Sequence, residues 1–139
     1  MQHDLPSIAI IDDDDIYQML IKSILGKKLP NPILQFFSGF QALSFYKLNL
    51  NNCTVLPSVC FLDLTMPGMS GWQFLDELDT LSFNFEYHPS IYILTGSSQV
   101  DFEKLRDYPL IKGVLIKPVP PDKFLSIIQE AIMADTHPA

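Results

Sequence analysis

Four consecutive carboxylates, Asp12 to Asp15, follow an apolar run in the segment IAIIDDDD, residues 8 to 15. Like charges this close repel strongly wherever water is partly excluded, so the cluster must be solvated, neutralised by a cation, or divided among different roles. Other reactive side chains also stand directly after apolar runs. Asp63 ends VCFLD, Thr95 ends IYILT and Lys117 ends GVLIK. A carboxylate set with one hydroxyl and one ammonium suits phosphoryl transfer to a carboxylate. A hard divalent cation such as Mg²⁺ takes oxygen ligands, and the ammonium and hydroxyl can hold phosphoryl oxygens. The charges balance: Asp12, Asp13 and Asp63 contribute −3, Mg²⁺ would add +2 and Lys117 adds +1. Taken singly, an Asp at a strand end is usually a turn or cap and a Lys there is usually solvated. Their recurrence at the ends of four strands carries the argument.

These residues can meet only if the runs before them lie side by side. Strand-length apolar runs recur at Ser7 to Ile11, Ile33 to Phe37, Ser58 to Leu62, Ile91 to Leu94 and Gly113 to Ile116, with helix-length segments between. The alternation predicts an α/β fold, a (βα)5 parallel sheet covered on both faces, whose ligands bind beyond the carboxyl ends of the strands. Helical spacing marks Ile16, Leu20 and Ile24 in the first intervening segment and Phe40, Leu43 and Leu48 in the second. It marks Phe74, Leu75 and Leu78 in the third, Phe102 and Leu105 in a short fourth, and Phe124, Ile128, Ala131 and Ile132 in the fifth. Asn49 to Pro57 reads as a polar connection, and prolines fall almost entirely between elements.

The 139 residues predict one domain over 1–139, with a core of about 6–134 and a frayed end over 135–139. A net charge of −7 argues against direct binding to nucleic acid or anionic membranes. No apolar run approaches the roughly 20 residues that span a bilayer, and no secretory signal opens the chain, which predicts a cytoplasmic protein. Cys53 and Cys60 have no metal-type or redox-type spacing and read as reduced thiols, Cys60 inside a core strand.

The motifs IIDDDD, FLDLTMPGMSGWQFL, ILTGSS and LIKPV, in this order and spacing, resemble the receiver domains of two-component response regulators over nearly the whole chain. The resemblance implies a flavodoxin-like sheet in strand order 2-1-3-4-5. It implies that Asp63 accepts a phosphoryl group from a histidine kinase or a histidine phosphotransfer protein. Asp13 would bind Mg²⁺ (or Mn²⁺) directly and Asp12 largely through water, with Asp63 and the backbone carbonyl of Thr65 as further ligands. Thr95 would be the switch hydroxyl and Lys117 its cationic partner, with a cis bond before Pro118. Pro67, Gly68 and Gly71 match the loop after the acceptor. Thr65 and Ser97 occupy positions that tune dephosphorylation, and Gly96 should leave the site open to water. Val114 departs from the family, which usually has an aromatic there to couple to the switch hydroxyl.

The first helix carries a second apolar line, Tyr17, Ile21 and Leu25, about 100° around the axis from the first, with Met19 on the other flank. This line is expected either to lie under the fifth helix or to dock a kinase or phosphotransfer helix. Asp14 and Asp15 fall where that helix starts, and Asp15 with Gln18 has capping-box spacing. Three other functions are weighed, of which a flavin-binding domain of similar topology would need a phosphate-binding loop that the sequence does not show. A haloacid dehalogenase-type phosphatase normally has a second carboxylate two residues after its nucleophile, where this chain has Thr65. A receiver-like interaction module that is never phosphorylated would not need the full acceptor set. With no output domain after the last helix, the chain reads as a stand-alone receiver, an intermediate in phosphorelay or a switch that binds a partner.

Overall fold

The computed structural model of the protein describes residues 5–97 and 100–136. Five strands and five helices alternate: β1 (Ile8–Ile11), α1 (Asp15–Gly26), β2 (Ile33–Phe36), α2 (Gly39–Leu48), β3 (Val59–Asp63), α3 (Gly71–Asp79), β4 (Ser90–Thr95), α4 (Phe102–Leu105), β5 (Ile111–Ile116) and α5 (Pro121–Thr136). All strand pairs are parallel, in the order β2-β1-β3-β4-β5. The expected flavodoxin-like fold is therefore present. α5 extends through Asp135 and Thr136, two residues into the expected frayed end, and 137–139 lie outside the described residues. No helix among the described residues is long and apolar enough to cross a membrane.

The period of two along each strand explains the two helical layers. In β1, Ala9 and Ile11 face one core and Ile8 and Ile10 face the other, all fully buried. The first core holds Ala42, Leu43 and Tyr46 of α2 with Phe74, Leu75 and Leu78 of α3. The second holds Ile21 and Leu25 of α1 with Phe124, Ile128 and Ala131 of α5. Cys60 is buried in the first core and Cys53 is exposed; both are free thiols. An aromatic segment before β4 closes the first core. Its Tyr87 meets the Tyr46 hydroxyl at 3.0 Å and donates to the Pro57 carbonyl at 2.6 Å.

The rotation of α1 differs from expectation. Ile16 (76% exposed), Met19 (67%) and Leu20 (52%) face solvent, whereas Gln18, Ile21 and Leu25 are buried. Ile21 and Leu25 therefore cannot form a docking surface; α5 covers them, which was the other reading of that line. The buried glutamine sets the rotation. Its Nε2 lies 3.0 Å from the Ile10 carbonyl, 3.1 Å from that of Asp12 and 2.9 Å from that of Phe36, while Gln35 Nε2 donates to Gln18 Oε1 at 2.9 Å. A side-chain amide thus ties α1 to the carboxyl ends of β1 and β2. Gln18→Leu removes this donor while keeping the volume, and is expected to lower unfolding stability by about 1–3 kcal/mol in urea titration.

The capping-box expectation is also corrected. Asp14 is the N-cap: its Oδ1 accepts from the Ile16 and Tyr17 amides at 3.0 Å each, and Gln18 points inward. In α2, Phe40 and Leu48 are exposed, and Phe102 of α4 is exposed too, because a single turn cannot bury two sides.

Candidate functional site

The strand ends expected to converge do so. β1 pairs with β3 and β3 with β4, with Ile11 beside Leu62 and Asp63 beside Leu94, so Asp12, Asp63 and Thr95 share one edge. Lys117 follows β5 directly, and its amide donates to the Thr95 carbonyl at 2.8 Å. Its Nζ lies 2.5 Å from Asp12 Oδ2 and 3.7 Å from Asp63 Oδ2. The peptide before Pro118 is cis.

Burial divides the four aspartates. Asp12 is completely enclosed and Asp63 nearly so, while Asp13, Asp14 and Asp15 reach solvent. Asp12 Oδ1 accepts from the Asp14 amide at 2.9 Å; its Oδ2 faces Lys117 as an ion pair and takes no directed hydrogen bond among the described residues. Asp63 Oδ1 accepts from the Thr65 amide at 3.1 Å. Burial holds the Asp63 carboxyl above its ordinary range; the Thr65 amide and Lys117 oppose that, and Asp12 and Asp13 add to it. Thr95 is buried, and its Oγ1 accepts from the Ser97 amide at 3.1 Å. Its own hydroxyl proton is left to donate.

The loop after Asp63 has the backbone its glycines require. Gly68 has φ +82°, open to glycine at no steric cost. A Cβ at Gly71 would sit 2.5 Å from the Asp63 carbonyl oxygen, so α3 can start this close to β3 only with glycine there. Val114 is partly buried beside the first core.

The donor set fits a hard divalent cation. One carboxylate oxygen from each of Asp12, Asp13 and Asp63 lies within 4.8 Å of the others. With Lys117 paired, a charge of −2 remains, and exposed Asp13 leaves room for the waters Mg²⁺ retains. Added Mg²⁺ is expected to raise the melting temperature. Asp13→Asn should weaken Mg²⁺ binding by about tenfold or more in calorimetric titration without destabilising the metal-free protein, because it removes only an exposed repulsive charge.

Two neighbours of the site were missed in the sequence. Gln18 fixes the β1 end, and its signal was a polar residue between apolar helical lines. Tyr17 lies over Lys117, whose Nζ is 4.7 Å from the ring centroid. Its signal was position: one helical turn after Asp13, with long helical side chains directed back toward the N-terminus.

Comparison with known proteins agrees with this geometry. The family model for the response regulator receiver domain matches residues 8–129. Among solved structures, a response regulator receiver domain protein from Clostridium thermocellum is 27% identical with a TM-score of 0.75, over 94% of this chain and 97% of that one. A CheY-like receiver domain protein from Methanospirillum hungatei is 24% identical (TM-score 0.69, 93% of each chain). The chemotaxis protein CheY4 of Vibrio cholerae is 18% identical (TM-score 0.67), over 91% of this chain and 98% of that one. These last two likenesses speak to the fold alone. No curated protein matches the chain.

Proposed function

The chain belongs to the response regulator receiver family, a family of phosphoacceptor signalling domains, and from that premise we propose that Asp63 is its phosphoacceptor. The observation that carries this reading is the Lys117 ammonium paired with Asp12 and within ion-pair distance of Asp63 at the carboxyl edge of the sheet. The donor is a phosphohistidine on a histidine kinase or a histidine phosphotransfer protein, and a cytoplasmic location accords with such a donor. A carboxylate oxygen of Asp63 forms the new O–P bond as the P–N bond breaks, and the departing imidazole takes up a proton. Lys117 and the Thr95 hydroxyl stabilise the charge on the phosphoryl oxygens.

Mg²⁺, with Mn²⁺ as a substitute, would be held by Asp12, Asp13, Asp63 and the Thr65 carbonyl, and would supply positive charge where the phosphoryl oxygens gather. In this reading the domain catalyses only its own phosphorylation and dephosphorylation. Phosphorylation then shifts its conformation toward a downstream partner, or Asp63 hands the group onward in a relay. Val114 supports an output that does not depend on aromatic coupling to Thr95.

The test is incubation with acetyl phosphate, with Mg²⁺ and with EDTA, followed by intact-mass measurement. One added phosphoryl group that requires the metal is expected. Beryllofluoride binding, which mimics the phosphoryl group, should accompany it in case the product hydrolyses quickly. No labelling together with no beryllofluoride binding would leave the unphosphorylated interaction module as the better reading.

The exposed line Ile16, Met19 and Leu20 beside the site is the part of α1 that supports docking of the donor protein. Leu20→Glu is expected to slow phosphotransfer from a phosphotransfer protein about tenfold or more, with labelling by acetyl phosphate unchanged. Ile21→Glu places a charge in the second core and should unfold the domain by more than about 3 kcal/mol in urea titration.

A further inference from the structure

We propose that Tyr17 is a positioning residue for the phosphoryl chemistry, its ring face holding the Lys117 ammonium over Asp12 and Asp63. The inference rests on the receiver reading above and adds a residue to that site. The ammonium has a different neighbour on each side. Asp12 Oδ2 is 2.5 Å away, Asp63 Oδ2 is 3.7 Å away, and the Tyr17 centroid is 4.7 Å away. The negative face of an aromatic ring attracts an ammonium, the more so where water is excluded. Here the Lys117 side chain is only 19% exposed, and the ring is half-buried against the second core.

A lysine on a four-carbon stem has many rotamers, most of which would carry its charge into water. The two carboxylates alone do not hold it between them, since Asp12 is far closer than Asp63. The ring face gives the ammonium a third, uncharged neighbour. It leaves the ammonium free to slide from Asp12 toward a group on Asp63 without becoming hydrated. A phenol, with an ordinary pKa of about 10, is neutral near pH 7 and sets no competing charge beside the ammonium; burial raises its pKa further, opposed by the Val119 backbone. Its hydroxyl lies beside the Val119 backbone, and it is the ring face that the ammonium meets. An aliphatic side chain would cover the same surface and offer no quadrupole.

The experiment compares wild type, Tyr17→Phe and Tyr17→Leu in saturating Mg²⁺, reading the initial rate of Asp63 phosphorylation by acetyl phosphate. Thermal melting is followed in parallel. The side-chain resonances of Lys117 are recorded by NMR without phosphodonor, where the ring shifts them upfield. The small donor removes any contribution of α1 to protein docking. Tyr17→Phe is expected to keep most of the rate and the Lys117 shift. Tyr17→Leu is expected to lose the shift and to slow about fivefold at a melting temperature close to wild type. Tyr17→Leu at the wild-type rate, Tyr17→Phe as slow as Tyr17→Leu, or slowing with the Lys117 resonances unmoved would each overturn the proposal. A wild type that takes no label and binds no beryllofluoride refutes the receiver reading instead, and the Lys117 shift still decides whether Tyr17 positions the ammonium.

Discussion

Asp63→Asn is expected to accept no phosphoryl group, with labelling by acetyl phosphate reduced by at least about a thousandfold under conditions that label the wild type to completion. The amide keeps the shape of the side chain but loses the anionic oxygen that must form the O–P bond. Persistent single labelling of the variant would move the acceptor elsewhere. The same substitution tests the electrostatics of the metal-free protein. Burial and the neighbouring carboxylates hold the Asp63 pKa above its unfolded value, so the folded state keeps its proton to higher pH than the unfolded chain does. Its contribution to stability is therefore complete below the ordinary carboxylate pKa and is lost as pH rises through the raised one. Urea titrations of metal-free wild type across that range should show this decline, and Asp63→Asn should flatten that part of the profile. Mg²⁺ should oppose the decline in the wild type by favouring the ionised form.

Lys117→Ala is expected to have the largest effect on stability of any surface-reaching substitution in the site. It strands Asp12, a completely enclosed carboxylate whose Oδ2 has no other partner among the described residues. Breaking a buried pair from one side costs about 3–5 kcal/mol, and because the Lys117 side chain retains some contact with water the lower end applies. Urea titration of metal-free protein measures this directly. Adding Mg²⁺ should restore much of the loss, since the ion brings positive charge to the same carboxylates, whereas a loss due to packing alone would not respond to the ion. Labelling by acetyl phosphate should remain about a hundredfold slow even with the ion present, because charge stabilisation at the phosphoryl oxygens is still missing.

The two kinds of substitution depend on information found at different places in the chain. The strand ends were legible because each is local: an apolar run of strand length, then a polar residue, then turn punctuation. That is why Asp12, Asp13, Asp63, Thr95 and Lys117 could be named, and why two-sided burial of β1 could be expected from its unbroken IAII. Gly71 was legible as part of a motif, but its reason, a Cβ 2.5 Å from the Asp63 carbonyl, is a contact between elements.

The rotation of α1 was not legible. Ile16, Tyr17, Met19, Leu20, Ile21, Ile24 and Leu25 cover so much of its circumference that periodicity could not choose the buried side. The choice came from partners on other elements: the Ile10 and Phe36 carbonyls that accept from Gln18, and the Phe124, Ile128 and Ala131 side of α5. For the same reason the sequence placed Tyr17 either under the fifth helix or on a docking surface, and not over Lys117, a hundred residues away, where its ring lies.

By itself, then, the sequence determined the fold class, the strand ends and the residue types gathered there, because spacing and residue type along one strand and turn are enough for that. Only the tertiary structure decided the part each aspartate takes within its pair: Asp12 enclosed with Lys117 and Asp13 open to solvent, Asp14 capping α1 and Asp15 in its exposed first turn. It also decided which face of α1 is free. Both depend on which oxygen or side chain meets water, and burial is set by elements packed from elsewhere in the chain.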